Sequence, residues 1–299
     1  MDVAPIVLFV YNRPEHTRKS LESLRINHLA AESDLIIYSD EAKDERAVGK
    51  VKEVREIVHT LTGFKSITVI ERKTNMGLAK SIIDGVTAVV NKYGRIIVLE
   101  DDHVTSPYFL TYMNEGLEVY RDNTDVISIH GYMYPVDKTL PETFFLKGAD
   151  CWGWATWKRG WDLFEPDGNL LLQELKSRSL LNAFDFDGTY PYSKMLKAQI
   201  EQKNDSWAIR WYAAAFLKGK YTLYPGKSLV HNIGCDDSGT HSKMTGTYEI
   251  TLDNNPVNIH EITSVAEDQP AKEALKKYFA ALAKKERPSL IRRIVRILK

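Results

Sequence analysis

The chain has 299 residues, 43% of them hydrophobic and 27% charged, with 17 glycines and 11 prolines. That length carries a full core, as two domains or one large α/β unit, and the balance excludes disordered, collagen-like and low-complexity classes. Lys plus Arg is 40 and Asp plus Glu is 40, so no global field draws in nucleic acid and a partner must be recognised locally.

Residues 5–11, Pro-Ile-Val-Leu-Phe-Val-Tyr, form an unbroken apolar run rich in β-branched and aromatic residues, the pattern of a strand buried on both faces. Pro14 near a helix start, followed by Leu21, Leu24 and Ile26 among basic residues, predicts an amphipathic helix over 14–27. Leu35 to Asp40 predicts the second strand, 44–61 a helix, Ile67 to Ile70 the third strand and 77–92 another helix. Arg95 to Leu99 is the next strand and runs into Glu100-Asp101-Asp102. This β-α-β-α-β-α-β order with short connections predicts a parallel sheet with right-handed crossovers and helices on both faces. Ligands in such sheets bind past the carboxyl ends of the strands, where Asn12-Arg13, Asp40-Glu41, Arg72-Lys73 and the acidic triplet stand.

After about residue 125 the pattern changes. Val126 to Ile129 is strand-like, aromatics crowd through Trp152, Trp154, Trp157 and Trp161, and Tyr221 to Tyr224 is again strand-like. Without an internal repeat or a flexible linker, the expected organisation is one continuous catalytic domain over 1–285, whose second half, 126–285, looks substrate-facing. Residues 286–299 follow as a basic amphipathic helix. There Leu290, Ile291, Ile294, Ile297 and Leu298 fall on one helical face, with Arg292, Arg293, Arg296 and Lys299 largely elsewhere. Such a pattern suits docking on an anionic membrane surface; a helix packed back on the domain is the alternative. Met1 to Pro5 carries an acid where a signal peptide needs a basic start, and no apolar run approaches the roughly 20 residues of a spanning helix. Cys151 and Cys235 are too few for a disulfide scaffold and too far apart for a metal knuckle, which fits a reducing compartment. The expected location is the cytoplasm.

Three consecutive carboxylates at the end of a buried strand repel one another and raise one another's pKa. A divalent cation resolves this: Mg2+ or Mn2+ is commonly held by one or two carboxylates while a substrate diphosphate supplies further oxygens. A solvated acidic turn is the other reading of the triplet.

The first strand with Asn12-Arg13-Pro14, the second ending in Ser39-Asp40, then Asn75-Met76-Gly77-Leu78-Ala79-Lys80, then Val98-Leu99-Glu100-Asp101-Asp102 resemble the nucleotide-sugar half of a GT-A glycosyltransferase. The likeness is to the N-acetylglucosaminyltransferase I type and to bacterial family 2 sugar transferases. It is good over residues 4–115 and looser to about 241. It implies a GT-A fold of α/β class, with 1–125 as the nucleotide-sugar-binding half and 126–285 as the acceptor-side half, and a metal-dependent, inverting transferase. The donor would be a UDP-sugar such as UDP-GlcNAc or another UDP-hexose. A glycan or lipid-linked glycan would be the acceptor, in bacterial lipopolysaccharide O-antigen or capsule assembly.

By the same resemblance Asp102 is the direct metal ligand, with Asp101 at the ribose or metal shell and Glu100 beside it. Asp40 accepts a hydrogen bond from the uracil, and Arg13 and Lys80 face nucleotide and diphosphate. For Arg13 a turn cap and for Lys80 a solvated helix position are the plain alternatives. An inverting transfer needs a carboxylate base for the acceptor hydroxyl. In Asn204-Asp205-Ser206-Trp207 the family's Asp-Trp pair is interrupted by Ser206, so Asp205 is the candidate base, with Asp236 and Asp237 as substitutes. Trp154 or Trp207 is expected against a sugar ring, with core packing as the alternative, and Asp150 at donor or acceptor hydroxyls, with a plain turn as its alternative. In the polar loop from Val230 to His241, His231 is the candidate to complete the metal or diphosphate shell. His231 and His241 are too far apart for a helical two-His zinc motif, and no third ligand is evident. Two other readings stay open: a nucleotidyltransferase, against which stands Asn12-Arg13-Pro14 in place of a glycine-rich phosphate loop, and a non-catalytic glycan-binding module using the tryptophans.

Overall fold

The computed structural model describes residues 3–234 and 250–286. Strand β1 (Ile6–Val10) is followed by α1 (Pro14–Arg25), β2 (Asp34–Ser39), α2 (Glu45–His59), β3 (Ser66–Glu71), α3 (Leu78–Tyr93) and β4 (Arg95–Glu100). Each helix start has a local cause. Pro14 opens α1, the Asp44 side chain accepts from Arg46 N ahead of α2, and Gly77 (φ +74°) precedes α3. Left-handed Gly94 (φ +77°) ends α3 and lets the chain turn at once into β4, a conformation that costs any other residue a Cβ clash.

The second half contributes β5 (His103–Thr105), α4 (Phe109–Val119), β6 (Val126–His130), β7 (Thr143–Lys147) and β8 (Trp154–Trp157). Helices α5 (Lys158–Trp161), α6 (Gly168–Ser177), α7 (Leu181–Phe184), α8 (Tyr192–Ile200) and α9 (Trp207–Leu217) follow, then β9 (Tyr221–Pro225), β10 (Val230–Asn232) and α10 (Gln269–Glu286). Eight strands make one sheet in the order β3-β2-β1-β4-β8-β6-β9-β7. The first four are parallel, β8 is antiparallel to both β4 and β6, β9 runs parallel to β6, and β7 closes the edge antiparallel to β9. The α/β sheet expected of a GT-A fold is therefore present, its parallel half as predicted and its other half mixed.

The pleat divides the core. Ile6, Leu8 and Val10 join Leu21, Leu24, Val54, Val58, Phe109 and Met113 on one face. Val7 and Phe9 join Ile82, Val86 and Val98 of the α3 side on the other. Helix α3 lies close on the sheet at Gly85, where a Cβ would stand 2.8 Å from the Phe9 ring. A third apolar cluster, including Phe144, Leu175, Phe184, Tyr212 and Phe279, fills the space under α6 to α10. Strands β5 and β10 pair antiparallel as a separate two-stranded sheet, with Asn232 opposite His103. That small sheet brings the chain after β10 back onto the acidic triplet.

Candidate active site

Strand β4 is buried through Leu99, so its last residue and the two after it emerge together at the carboxyl end of the parallel half. Arg13, from the β1–α1 turn, meets them there: its Nη1 is 2.9 Å from Asp102 Oδ2 and 3.5 Å from Asp101 Oδ1. Tyr11 N donates to Asp101 Oδ2 at 3.4 Å, and Ser20 donates to the Asp101 carbonyl at 2.8 Å. One guanidinium thus serves two of three adjacent carboxylates.

The remaining charge shows in the acids' affinity for protons. Burial, then the charges of Asp102 and Asp101, pushes the Glu100 carboxyl up, Arg13 opposing. Asp101 is pushed up to about 7, by burial first and Asp102 second. His103 is held below its usual range by burial. Its Nδ1 accepts from Glu100 N at 3.1 Å, which leaves the ring's proton on Nε2, 3.5 Å from Asp102 Oδ1. Asp102 Oδ1 is buried and accepts no hydrogen bond among the described residues, a costly state for a carboxylate oxygen.

Gly234 covers the site from the other side. Ile233 N donates to the Asp102 carbonyl at 2.9 Å, and a Cβ on Gly234 would run into Asp102 Oδ2 and stand 2.7 Å from Arg13 Nη2. His231 lies on β10 opposite Val104 of β5, one register step from the Asn232–His103 pair. The sequence reading missed Gly234; its only signal there was a glycine after a short polar strand.

The donor set suits a divalent cation in part. The orphaned Asp102 oxygen and the electrostatic load on the triplet fit an ion whose other positions come from a substrate's oxygens. Among the described residues no group of three or more His, Cys, Asp or Glu side chains forms a metal site by itself.

Four expectations meet a different environment. Asp40, assigned to a uracil, is buried and already satisfied: Met76 N and Gly77 N donate to it at 2.9 Å, Glu41 N at 3.0 Å and Asn75 Nδ2 at 3.2 Å. Its carboxylate pins the turn that launches α3. Trp154 and Trp207, assigned to a sugar, are 1% and 3% exposed. They stack on each other at 5.5 Å and pack with Trp161 and Trp211 beneath α3, so neither ring offers a face to a ligand. Asp205 stands just before α9, whose N-cap is Ser206, accepting from Ile209 N. Its side chain is 74% exposed and 3.4 Å from Arg210 Nη2. It shares a cavity of about 600 Å³ with Lys80, Asp84, Thr87 and Arg210. The structure therefore brings Lys80 and Asp205 together, and no hydrogen bond or ion pair joins Asp205 to the triplet.

Asp150 is placed differently. Tyr224 donates to its Oδ2 at 2.8 Å, and burial pushes its carboxyl up to about 6. The thiol of neighbouring Cys151 is driven up by burial and then by Glu100, Asp150 and Asp102, so it feels the charge of both Asp150 and the triplet. Cys235, Asp236, Asp237, His241 and the tail 287–299 lie outside the described residues. Among the described residues no helix is long and apolar enough to cross a membrane.

The model of the family described as Glycosyl transferase family 2 matches residues 6–165. Comparison with curated proteins finds no match. Among solved structures, the mannosyltransferase PcManGT from Pyrobaculum calidifontis in complex with GDP-Man and Mn2+ is 14% identical, over 43% of this chain and 37% of that one, with a TM-score of 0.32. S. aureus TarS is 13% identical over 48% of this chain and 24% of that one, TM-score 0.32. A UDP-glucose pyrophosphorylase complexed with UDP-glucose is 13% identical over 56% and 82%, TM-score 0.32. The chain thus spans less than two fifths of the first two proteins.

Proposed function

The chain belongs to glycosyl transferase family 2; from that premise we propose that it is a glycosyltransferase, metal-dependent and inverting, taking its sugar from UDP-GlcNAc or another UDP-hexose. The acceptor in this reading is a glycan or lipid-linked glycan of bacterial surface polysaccharide assembly. The observation that carries the reading is the triplet at the end of β4, with one buried Asp102 oxygen that accepts no hydrogen bond among the described residues.

In this reading Asp102 would hold Mn2+ or Mg2+, and His231 would complete the metal or diphosphate shell. The ion supplies stabilisation of the charge that collects on the departing diphosphate. Asp101 and Glu100 line the donor side, and Arg13 holds the two aspartates in place against their mutual repulsion. Lys80, in the first turn of α3, balances phosphate charge together with the helix's positive end. Asp40 contributes by shaping the 75–77 turn beneath the nucleotide. Asp205 is the base: the acceptor O–H bond breaks toward its carboxylate while the new bond forms at the anomeric carbon, and the old C–O electron pair leaves with UDP. Asp236 and Asp237 are the substitutes. Asp150 binds sugar hydroxyls.

The proposed setting is the cytoplasm, with the basic amphipathic tail resting on an anionic membrane. Deleting residues 288–299 should then move the protein from the membrane pellet to the supernatant; an unchanged distribution removes the tail from the account. For the chemistry, UDP release is followed with UDP-glucose, UDP-galactose and UDP-GlcNAc, with Mn2+ or with chelator. Release from at least one donor, lost with chelator and in Asp102→Ala, is expected. Equal release with chelator would contradict it.

A further inference from the structure

Asp150 sits in the short excursion between β7 and β8, and that excursion is rigidly held. Gly148 (φ +94°) lies against the Tyr212 ring, where a Cβ would stand 2.7 Å from Cδ2. Gly148 N donates to the Lys220 carbonyl at 3.1 Å, and Thr222 Oγ1 donates to the Gly148 carbonyl at 2.7 Å. Gly153 (φ +65°) ends the excursion, where a Cβ would stand 2.6 Å from Val230 Cγ2. The carboxylate's position is therefore fixed by the backbone before any ligand arrives.

Tyrosines surround it. Besides Tyr224, which donates to Oδ2, the phenols of Tyr134, Tyr192 and Tyr212 each feel the Asp150 charge as the strongest influence after their own burial. Tyr192 and Tyr212 stack at 4.3 Å and Tyr224 stacks on Phe144, so these rings form a firm wall. Asp150, Cys151, Trp152 and Tyr134 are partly exposed and form its open side.

The other carboxylate oxygen, Oδ1, receives no hydrogen bond, and no Lys or Arg pairs with Asp150 among the described residues. A carboxylate left half-satisfied beside aromatic rings is matched by a neutral ligand rich in O–H donors with apolar C–H faces, which is the chemistry of a pyranose. A phosphate is repelled by the carboxylate, and an apolar ligand leaves Oδ1 unsatisfied. We propose that Asp150, with Tyr224 orienting it and the surrounding tyrosines as wall, forms a hydroxyl-binding clamp for a pyranose ring. The ring belongs either to the donor hexose or to the acceptor's terminal sugar. The clamp deepens the glycosyltransferase reading and rests on it for its place in the reaction. Asp150 is a positioning residue here and takes no proton.

The test measures binding to wild type, Asp150→Asn and Tyr224→Phe in two arms. Calorimetry compares UDP with UDP-glucose, UDP-galactose and UDP-GlcNAc in Mn2+; NMR titration follows the methyl glycosides of glucose, galactose and GlcNAc without nucleotide. Asp150→Asn should leave UDP affinity within about twofold. A loss of about tenfold in the advantage of a UDP-sugar over UDP identifies the donor ring; the same loss for a methyl glycoside identifies the acceptor ring. Tyr224→Phe should show a smaller loss in the same arm. Unchanged sugar binding in both arms, a wild type that binds no sugar in either, or a parallel fall in UDP affinity overturns the clamp. A wild type that binds a methyl glycoside through Asp150 but no UDP keeps the clamp and refutes the UDP-sugar reading instead.

Discussion

Replacing Asp150 with asparagine should stabilise the fold, and by an amount that depends on pH. The carboxyl rises from 3.8 to about 6 in the folded protein. At about 1.4 kcal/mol per tenfold change in proton affinity, the charged acid costs the native state about 3 kcal/mol at pH 8. That is an upper figure, because Asp150 is partly exposed and solvent screens part of it. The sign follows from proton counting: between the two pKa values the folded state holds a proton that the unfolded chain has lost, so this acid's contribution to stability falls as pH rises through that window. Below both values the penalty disappears. Asparagine carries no charge and still offers an oxygen to the Tyr224 hydroxyl. Denaturant unfolding should show Asp150→Asn more stable than wild type by up to about 3 kcal/mol at pH 8 and by less than about 1 kcal/mol at pH 4. Equal or lower stability at pH 8, or the same increment at pH 4, would refute the reasoning. A stabilising substitution at a site of specific chemistry is the usual mark of a residue kept for function.

Trp154→Ala removes a buried ring from the tryptophan cluster and should cost about 3–5 kcal/mol in denaturant unfolding, while the folded fraction keeps its donor affinity. Gly234→Ala drives a methyl into Asp102 and Arg13, so metal-dependent UDP binding, measured by calorimetry, should fall at least about tenfold for roughly 1.4 kcal/mol of displaced contacts. Gly49→Ala, on an exposed face of α2 with open space around it, should raise stability by about 0.5–1 kcal/mol and leave UDP binding alone. Asp205→Asn removes an exposed carboxylate from buried Arg210, which keeps its bonds to the Ser206 and Pro166 carbonyls, so unfolding should shift by less than about 1 kcal/mol. Donor turnover should drop by about a hundredfold with UDP affinity intact; unchanged turnover would transfer the base to another carboxylate.

The parallel half was legible because its rules are local. Ile6–Val10 is apolar at every position since both faces are covered, and Pro14, Asp44 and Gly94 mark helix ends by their own chemistry. The order of elements then sufficed to bring Arg13 and the triplet to one edge. The mixed half was harder, because β5 and β10 are three residues each and exist only through a pairing across more than a hundred residues. Residue type misled at the tryptophans: the same ring packs in a core or stacks on a sugar, and only burial distinguishes the two. Asp40 misled for a related reason, since most of its partners are main-chain N–H groups that carry no sequence signature. The surroundings of Asp150 come from Tyr134, Tyr192, Tyr212 and Tyr224, which no spacing rule joins.

In the proposed function the triplet at the end of β4 binds a nucleotide through a divalent cation. Calorimetric titration of UDP into wild type and Asp102→Ala, each with Mn2+ and with chelator, tests it most directly. Binding to wild type that needs Mn2+ and vanishes in Asp102→Ala is the predicted result; UDP binding indifferent to both metal and Asp102, or none in either protein, would contradict it.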